Sequence, residues 1–215
     1  MQEYNLKEND VFVDEIRVKD KINDTLEHLA ESGKPFWRFA QSRKGTSCEK
    51  FYAEYKEGEI TTSDNGLSFV SEDDIAGCYM YGDLLVKLNF DMKDKNFKKI
   101  AESNYIQTNP RMGEYVTTNL LTEKIYSLEK LETIRLLFDK ASNPTQIQGL
   151  IEGQYLCYGN FESRLREFGF HESANLIRSI RKKYYSHCNE DRDHFDDFRK
   201  EILDFIDNEI KKKNI

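Results

Sequence analysis

The chain has 215 residues, enough for one well-packed core with a helical appendage but not for two large domains. Its 39 acidic side chains outnumber 32 basic ones, which gives a net charge of -7. This charge excludes a protein that binds nucleic acid through overall positive charge, although a local basic groove is still compatible with it. An aromatic content of 13% favours a folded core over disorder.

The first half of the chain predicts alternating short elements. Apolar spacing predicts an amphipathic helix over Lys19–Ser32, stopped by Gly33 and Pro35. Strands are then expected in chain order at 36–40, 67–70, 84–90, 114–118 and 124–127, with Trp37 and Phe39 on one face of the first strand and Arg38 on the other.

Two details of this region concern local chain direction. Asp64-Asn65-Gly66 predicts a turn that enters the second strand. Ser71 follows that strand as the expected N-cap of a short helix that runs through Tyr81, with acidic residues in its first turn.

Beyond residue 127 the apolar spacing becomes helical almost to the end of the chain. The last helix carries a stripe of apolar residues at i, i+3 and i+7 spacing, which is typical of a buried helix face. We therefore divide the chain at 1–127 and 128–215, the second part being an α-helical bundle region, with helices expected at Leu128–Ala141, Pro144–Cys157, Phe161–Phe168, Glu172–His187 and Arg192–Lys213.

Several features concern the cellular setting. No apolar run approaches the roughly 20 residues that span a bilayer, and the N-terminus is polar and acidic, unlike a signal peptide. The four cysteines are widely spaced without a Cys-x-x-Cys pair, as expected of reduced thiols. We expect a cytoplasmic protein, or one delivered into a host cytosol, that makes no membrane contact.

The polar residues between positions 37 and 114 suit the cleavage of a nucleotide glycosidic bond. Arg38, on an aromatic strand, could bind phosphate oxygens bidentately. Tyr79 and Tyr81 could stack on a base, and Glu114, at the start of a later strand, could hold a ribose hydroxyl and stabilise oxocarbenium-like charge. The same residues also allow a purely structural interpretation: a surface ion pair for Arg38, a helix cap for Ser71, edge aromatics for the tyrosines and a solvated carboxylate for Glu114.

The order of the segments resembles the ADP-ribosyltransferase superfamily of bacterial toxins and polymerase-like transferases. The resemblance rests on Phe36-Trp37-Arg38-Phe39, on Gly66-Leu67-Ser68-Phe69-Val70-Ser71 leading to Ala76-Gly77-Cys78-Tyr79, and on Gly113-Glu114-Tyr115-Val116. It covers residues 34–127 and implies an α+β fold with a split β-sheet core. It also implies NAD as a substrate, no metal, and a macromolecular acceptor that is either protein or nucleic acid.

The resemblance assigns roles residue by residue. Arg38 would contact the ribose or phosphates of NAD, Ser71 would orient NAD through its hydroxyl, and Tyr79, with Tyr81 as the substitute, would stack on nicotinamide. Glu114 would be the catalytic carboxylate, and 103–113 would form the loop that meets the acceptor, with Tyr105 as its aromatic contact.

Two positions depart from the pattern of the family. Members that modify arginine carry Glu two residues before the catalytic Glu, whereas this chain has Met112, so modification of an arginine or asparagine side chain is not expected. The Ser-Thr-Ser triplet of the toxin branch is represented only by Thr61-Thr62-Ser63, which lies before the glycine turn. By analogy with the family, the chain would be a toxin, effector or phage-defence protein, and a neutralising protein would be its partner.

Other hypotheses stay open. The charged stretch 187–197 contains metal-ligand residue types, but its spacing matches no known finger and is typical of a turn between helices. The basic run Arg178–Lys183, followed by Tyr184 and Tyr185, is a nucleic-acid candidate as well as the polar face of an amphipathic helix. In a third interpretation the chain is a non-enzymatic module that binds a protein partner through its C-terminal helical region.

Overall fold

The computed structural model describes residues 23–42, 53–102, 106–109, 114–152, 160–185 and 194–213, which form a mixed α+β structure. Six strands occur in them: β1 (Asn23–Asp24), β2 (Phe36–Ala40), β3 (Ile60–Ser71), β4 (Leu84–Leu88), β5 (Ile106–Asn109) and β6 (Glu114–Ser127). The α-helices are α1 (Leu26–Glu31), α2 (Lys95–Ala101), α3 (Leu131–Asp139), α4 (Pro144–Glu152), α5 (Phe161–Glu167), α6 (His171–Tyr184) and α7 (Phe195–Lys213), and a 3-10 helix covers Ile75–Tyr81.

The strands form one antiparallel sheet in the order β1-β5-β6-β3-β2-β4, and β6 also pairs with β4. The long strand β6 pairs with β3 through its first half and with β4 through its second half. Strand β2 likewise pairs with β3 only at Phe36 and Trp37, and with β4 from Trp37 to Ala40. The sheet therefore divides between β2 and β3, just after Trp37.

A separate hydrophobic core covers each face of the sheet. Trp37, Phe39 and Leu85 belong to the first core, which they share with the C-terminal helices. Phe36 and Ala40 belong to the second core, which α1 and α2 cover. Strand alternation accounts for this division, and it confirms the predicted faces of the first strand.

Most of the predicted helices occur with shifted ends. The C-terminal helices are confirmed as a series. The first covers 131–139 rather than 128–141, and the third ends at Glu167 rather than Phe168. Residues 153–157 and 186–193, where ends of the other predicted helices fall, lie outside the described part of the chain. The prediction for Lys19–Ser32 is wrong at Asn23–Asp24, which pairs with β5. The helix starts instead at Leu26, because the Thr25 hydroxyl accepts a hydrogen bond from the His28 amide at 3.1 Å and so caps it.

The predicted strands are joined in ways that the pattern did not show. Residues 114–118 and 124–127 lie on the single strand β6, and β4 ends at Leu88 rather than at residue 90. Asp64-Asn65-Gly66 is not a turn but an irregularity within β3, where the register shifts between Thr62 and Leu67. Gly66 adopts φ +82° there, and a Cβ at this position would lie 2.7 Å from Val116 Cγ1.

The described part of the chain contains no helix that is both long and apolar enough to cross a membrane.

Candidate functional site

Arg38 lies on β2 directly after the last residue that pairs with β3, so it stands where the sheet divides. Its guanidinium stacks over Tyr55, with Cζ 5.1 Å from the ring centroid, and its Nε donates to the Phe39 carbonyl at 3.3 Å. Burial lowers the pKa of Arg38, while the charges of Tyr55 and Glu114 act in the opposite direction.

Two polar atoms of this stacked pair are buried without a hydrogen-bond partner. They are Arg38 Nη1 and the Tyr55 hydroxyl oxygen. Burial raises the pKa of Tyr55 to about 12, against the opposing charge of Arg38, so the phenol keeps its proton at neutral pH. An uncompensated buried donor costs about 1–3 kcal/mol, and a ligand oxygen placed here would recover that cost. The pair therefore carries two unsatisfied polar atoms, both closed off from solvent, that the oxygen atoms of a ligand could satisfy.

Glu114 begins β6 and pairs with Val70, which in turn pairs with Trp37. These three side chains therefore form a row on the first-core face, whereas Arg38 projects from the opposite face. Glu114 is half-buried, and no hydrogen bond or ion pair joins it to Arg38 among the described residues. Its negative charge opposes the lowering of the Arg38 pKa that burial causes, and it adds to the raising of the Cys78 pKa by burial.

The 3-10 helix lies beside the row that contains Glu114. Ile75 and Ala76 are fully buried in the first core, and Cys78 packs against that core. The pKa of Cys78 is raised to about 12, chiefly by burial and then by the charges of Glu114 and Asp74. Tyr79 and Tyr81 lie on this helix, and the positions of their side chains are outside the description.

Ser71 ends β3 and leads into this helix, but the predicted N-cap role is wrong. Its hydroxyl donates to Asp74 Oδ2 at 2.9 Å rather than accepting from a backbone amide, and the helix begins at Ile75 with Asp74 as the capping position. Ser71 pairs with Phe36, so it lies on the second-core face with Arg38. Its hydroxyl is committed to a carboxylate that stands between β3 and the 3-10 helix.

The helical region holds the segment that connects β3 to the 3-10 helix. Lys140, just after α3, forms an ion pair with Glu72 and lies over the Trp37 ring at 4.8 Å. Ser142 and Gln146 each donate to the Asp73 carbonyl at 2.7 Å. These contacts fix the approach to the helix that carries the candidate tyrosines.

The expected acceptor loop is only partly described. Residues 106–109 form β5 and pair with both β1 and β6, so this part of 103–113 is a strand rather than a loop. Tyr105 and Met112 lie outside the described residues, as does most of the charged stretch 187–197. Within the described ranges, no group of three or more His, Cys, Asp or Glu side chains is placed to hold a metal ion.

Of the predicted residues, the structure places Arg38 and Ser71 on one face of the sheet and Glu114 in a row on the other face. Sequence reasoning missed the burial of Tyr55 and the position of Trp37 in the row with Glu114. Tyr55 lies in a short polar segment without periodicity, so no pattern marked it as buried. The fold is thus an α+β protein with a divided antiparallel sheet and polar side chains at the division. No family model, curated protein or solved structure matches the chain.

Proposed function

We propose that the chain is an NAD-dependent ADP-ribosyltransferase with its site where β2 leaves β3. One observation carries the proposal: the end of β3 pairs with both β2 and β6, so Trp37, Val70 and Glu114 lie in one row across three strands and Arg38 directly follows Trp37 at the division. In this proposal NAD enters at the division and meets Arg38 on one face of the sheet and Glu114 on the other. The divided sheet also agrees with the split core that the family resemblance implies.

The proposed roles follow from the chemistry of each group. Arg38 and its unpartnered Nη1 would bind diphosphate or ribose oxygens. Glu114 would stabilise the positive charge that develops on the ribose as its C1–N bond to nicotinamide breaks, with the bonding pair leaving on nicotinamide. An acceptor nucleophile would then form the new bond to C1 and lose a proton. Tyr79 or Tyr81 would stack on nicotinamide, Ser71 would orient NAD, and Tyr105 would contact the acceptor.

The test is transfer of label from adenylate-labelled NAD to a cell lysate. We expect Glu114→Gln to fold normally and lose about 10²–10³ in rate, because it removes one preorganised electrostatic interaction. The matched control is Glu123→Gln on the same strand, whose exposed ion pair with Lys87 should matter little. A Glu114→Gln variant that retains more than about a tenth of wild-type transfer would refute the catalytic assignment.

Binding of NAD can be tested apart from turnover. NAD at about 100 times its dissociation constant should stabilise the protein by about 2.7 kcal/mol, and Arg38→Met should abolish the effect. A non-enzymatic module that binds a protein through its helices predicts neither a thermal shift nor label transfer. The role as toxin, effector or phage-defence protein, and any neutralising partner, stay predictions of the family resemblance.

A further inference from the structure

One face of helix α6 differs in charge from the rest of the molecule. Between residues 161 and 185 the chain has six Lys and Arg residues and three Glu, whereas the whole chain has 32 basic and 39 acidic side chains. This local excess of positive charge lies on two consecutive helices, α5 and α6, which pack against each other. An acidic protein with such a local basic surface presents a confined site for a polyanion.

Three arginines on this surface are held by one buried carboxylate. Glu162 on α5 has a side chain only 5% exposed and accepts from Arg166 Nε at 3.1 Å, from Arg178 Nε at 2.9 Å and from Arg181. Arg166 also donates to Asn175 Oδ1 at 2.8 Å. One carboxylate thus holds three guanidinium groups, and the cluster keeps a net positive charge. This charge is accessible to solvent because the three arginine side chains are between 28% and 50% exposed.

This arrangement prepares the guanidinium groups for phosphate. A guanidinium carries five N–H donors in a rigid fork, and Glu162 engages only some of those on each arginine. Because the carboxylate already restricts the arginine rotamers, a bound phosphate would not have to supply the full ordering entropy.

An exposed stripe along α6 extends the basic surface. His171, Asn175, Arg178, Lys182 and Tyr185 recur at i, i+4, i+7, i+11 and i+14, and all five are exposed. This spacing places them on one helix face, which is about 21 Å long at 1.5 Å per residue, and the stripe contains no acidic residue. A single-stranded nucleic acid of a few nucleotides fits that length.

Tyr185 supplies an independent observation. It is 58% exposed and is one of two large hydrophobic residues exposed in the described part of the chain, the other being Met92. Its helical backbone, with φ -54° and ψ -44°, keeps it in line with Arg178 and Lys182. An exposed aromatic ring beside cations is suited to stack on an unpaired base, because every base presents a π face.

We infer that this stripe, with Arg166 beside it, binds single-stranded nucleic acid, its cations contacting phosphates and Tyr185 stacking on a base. The surface shares no residue with the proposed transferase site, since it lies on α5 and α6 rather than at the sheet division. The inference therefore stands or falls independently of NAD chemistry. If both proposals hold, the strand bound here would be the macromolecular acceptor.

The test is fluorescence anisotropy with labelled 20-nucleotide single-stranded RNA and DNA across a salt series. Contacts from Arg166, Arg178 and Lys182 predict a slope of log K against log salt of about -2. Lys182→Ala should reduce that slope by about 0.7, whereas Tyr185→Ala should weaken binding about 10-fold and leave the slope unchanged. These two variants separate a phosphate contact from a stacking contact.

Matched controls come from the opposite part of the molecule. Lys98→Ala removes one exposed lysine from α2, and Met92→Ala removes the other exposed large apolar side chain. Both should bind like wild type, and Glu114→Gln should also bind normally, which distinguishes this inference from the transferase proposal. RNA and DNA arms decide which nucleic acid is preferred.

Four outcomes would overturn the inference, and the first three concern binding itself. They are no binding of either strand at 25 mM salt, equal effects of Lys182→Ala and Lys98→Ala, and equal effects of Tyr185→Ala and Met92→Ala. Competition by polyglutamate as strong as that by RNA would also overturn it, in favour of an acidic protein partner.

Discussion

The carboxylate of Glu162 makes the sharpest stability prediction. It is buried on α5 and accepts hydrogen bonds from three arginines, two of them on the neighbouring helix α6. Replacing it by Gln keeps the side-chain volume and one acceptor oxygen but removes the charge. The three guanidinium groups are then left facing one another without their shared counter-ion, which is the costly way to break a buried ion pair.

The expected loss of stability is about 2–4 kcal/mol. Removing one partner of a fully buried ion pair costs about 3–5 kcal/mol, and the partial exposure of the three arginines lowers that figure. For a chain of this size, 3 kcal/mol corresponds to a decrease in melting temperature of about 6–12 °C. The same substitution at Glu167, which is 58% exposed on the same helix, should cost less than about 0.5 kcal/mol.

The effect should depend on pH with a defined sign. Burial by itself raises the pKa of Glu162, but the hydrogen bonds and charges of Arg166, Arg181 and Arg178 outweigh it and lower the pKa below its ordinary value. A carboxyl whose folded pKa is depressed contributes stability above its unfolded pKa of about 4.3 and loses it as pH falls through the folded value. The difference between wild type and Glu162→Gln should therefore be complete at pH 7 and shrink below about pH 4.

Urea unfolding at pH 7, 5 and 3.5, followed by circular dichroism, measures these differences by linear extrapolation. Equal losses for Glu162→Gln and Glu167→Gln at pH 7 would refute the argument that the three arginines depend on one buried charge. A difference that grows as the pH falls would contradict the sign.

Two other predictions concern the region of the candidate site. A Cβ on Gly82 would overlap the Ala40 carbonyl, so Gly82→Ala should lower the free energy of unfolding by about 3 kcal/mol. The control is Gly77→Ala, whose new Cβ would have no atom within 4 Å, and it should change the free energy of unfolding by less than about 0.5 kcal/mol. Thermal unfolding of both variants measures the two effects. Burial raises the pKa of Cys78 to about 12, so iodoacetamide at pH 8 should alkylate it at least about 100-fold more slowly in the native protein than in urea. Peptide mapping by mass spectrometry measures both rates. A native rate equal to that of a free thiol would contradict the prediction.

Short-range patterns predicted the elements that one periodicity defines. The alternation in Phe36–Ala40 predicted that Trp37 and Phe39 share one face, and the helical spacing beyond residue 127 predicted the C-terminal helices. In both cases the apolar residues of the buried face lie close together in the sequence, so a short window shows the pattern. The twelve residues of β3 were only partly predicted. Gly66 lies at an irregularity that interrupts the alternation, and the sequence Asp64-Asn65-Gly66 is also typical of a turn.

Polar interactions over long sequence distances were not predictable in this way. Ser71 has the residue type of an N-cap, yet its hydroxyl donates to the carboxylate of Asp74, a choice that the local sequence allows equally well. In the sequence, Glu162 has the character of an ordinary exposed helix residue. The packing of α5 against α6 buries it among arginines that lie up to nineteen positions away in the chain. Tertiary structure, rather than local propensity, decides such contacts.

The division of the sheet connects stability with the proposed activity. Strand β2 stops pairing with β3 at Trp37, and beside this point Arg38 and Tyr55 each have a buried polar side-chain atom that no partner satisfies. Each such atom costs about 1–3 kcal/mol in the free protein. A ligand that supplies the missing oxygen atoms would recover this free energy on binding. Arg38→Met removes the unpartnered donor. The unliganded variant should therefore be at least as stable as wild type, and NAD should no longer stabilise it. A variant that unfolds more easily and still responds to NAD would show instead that Arg38 serves the fold.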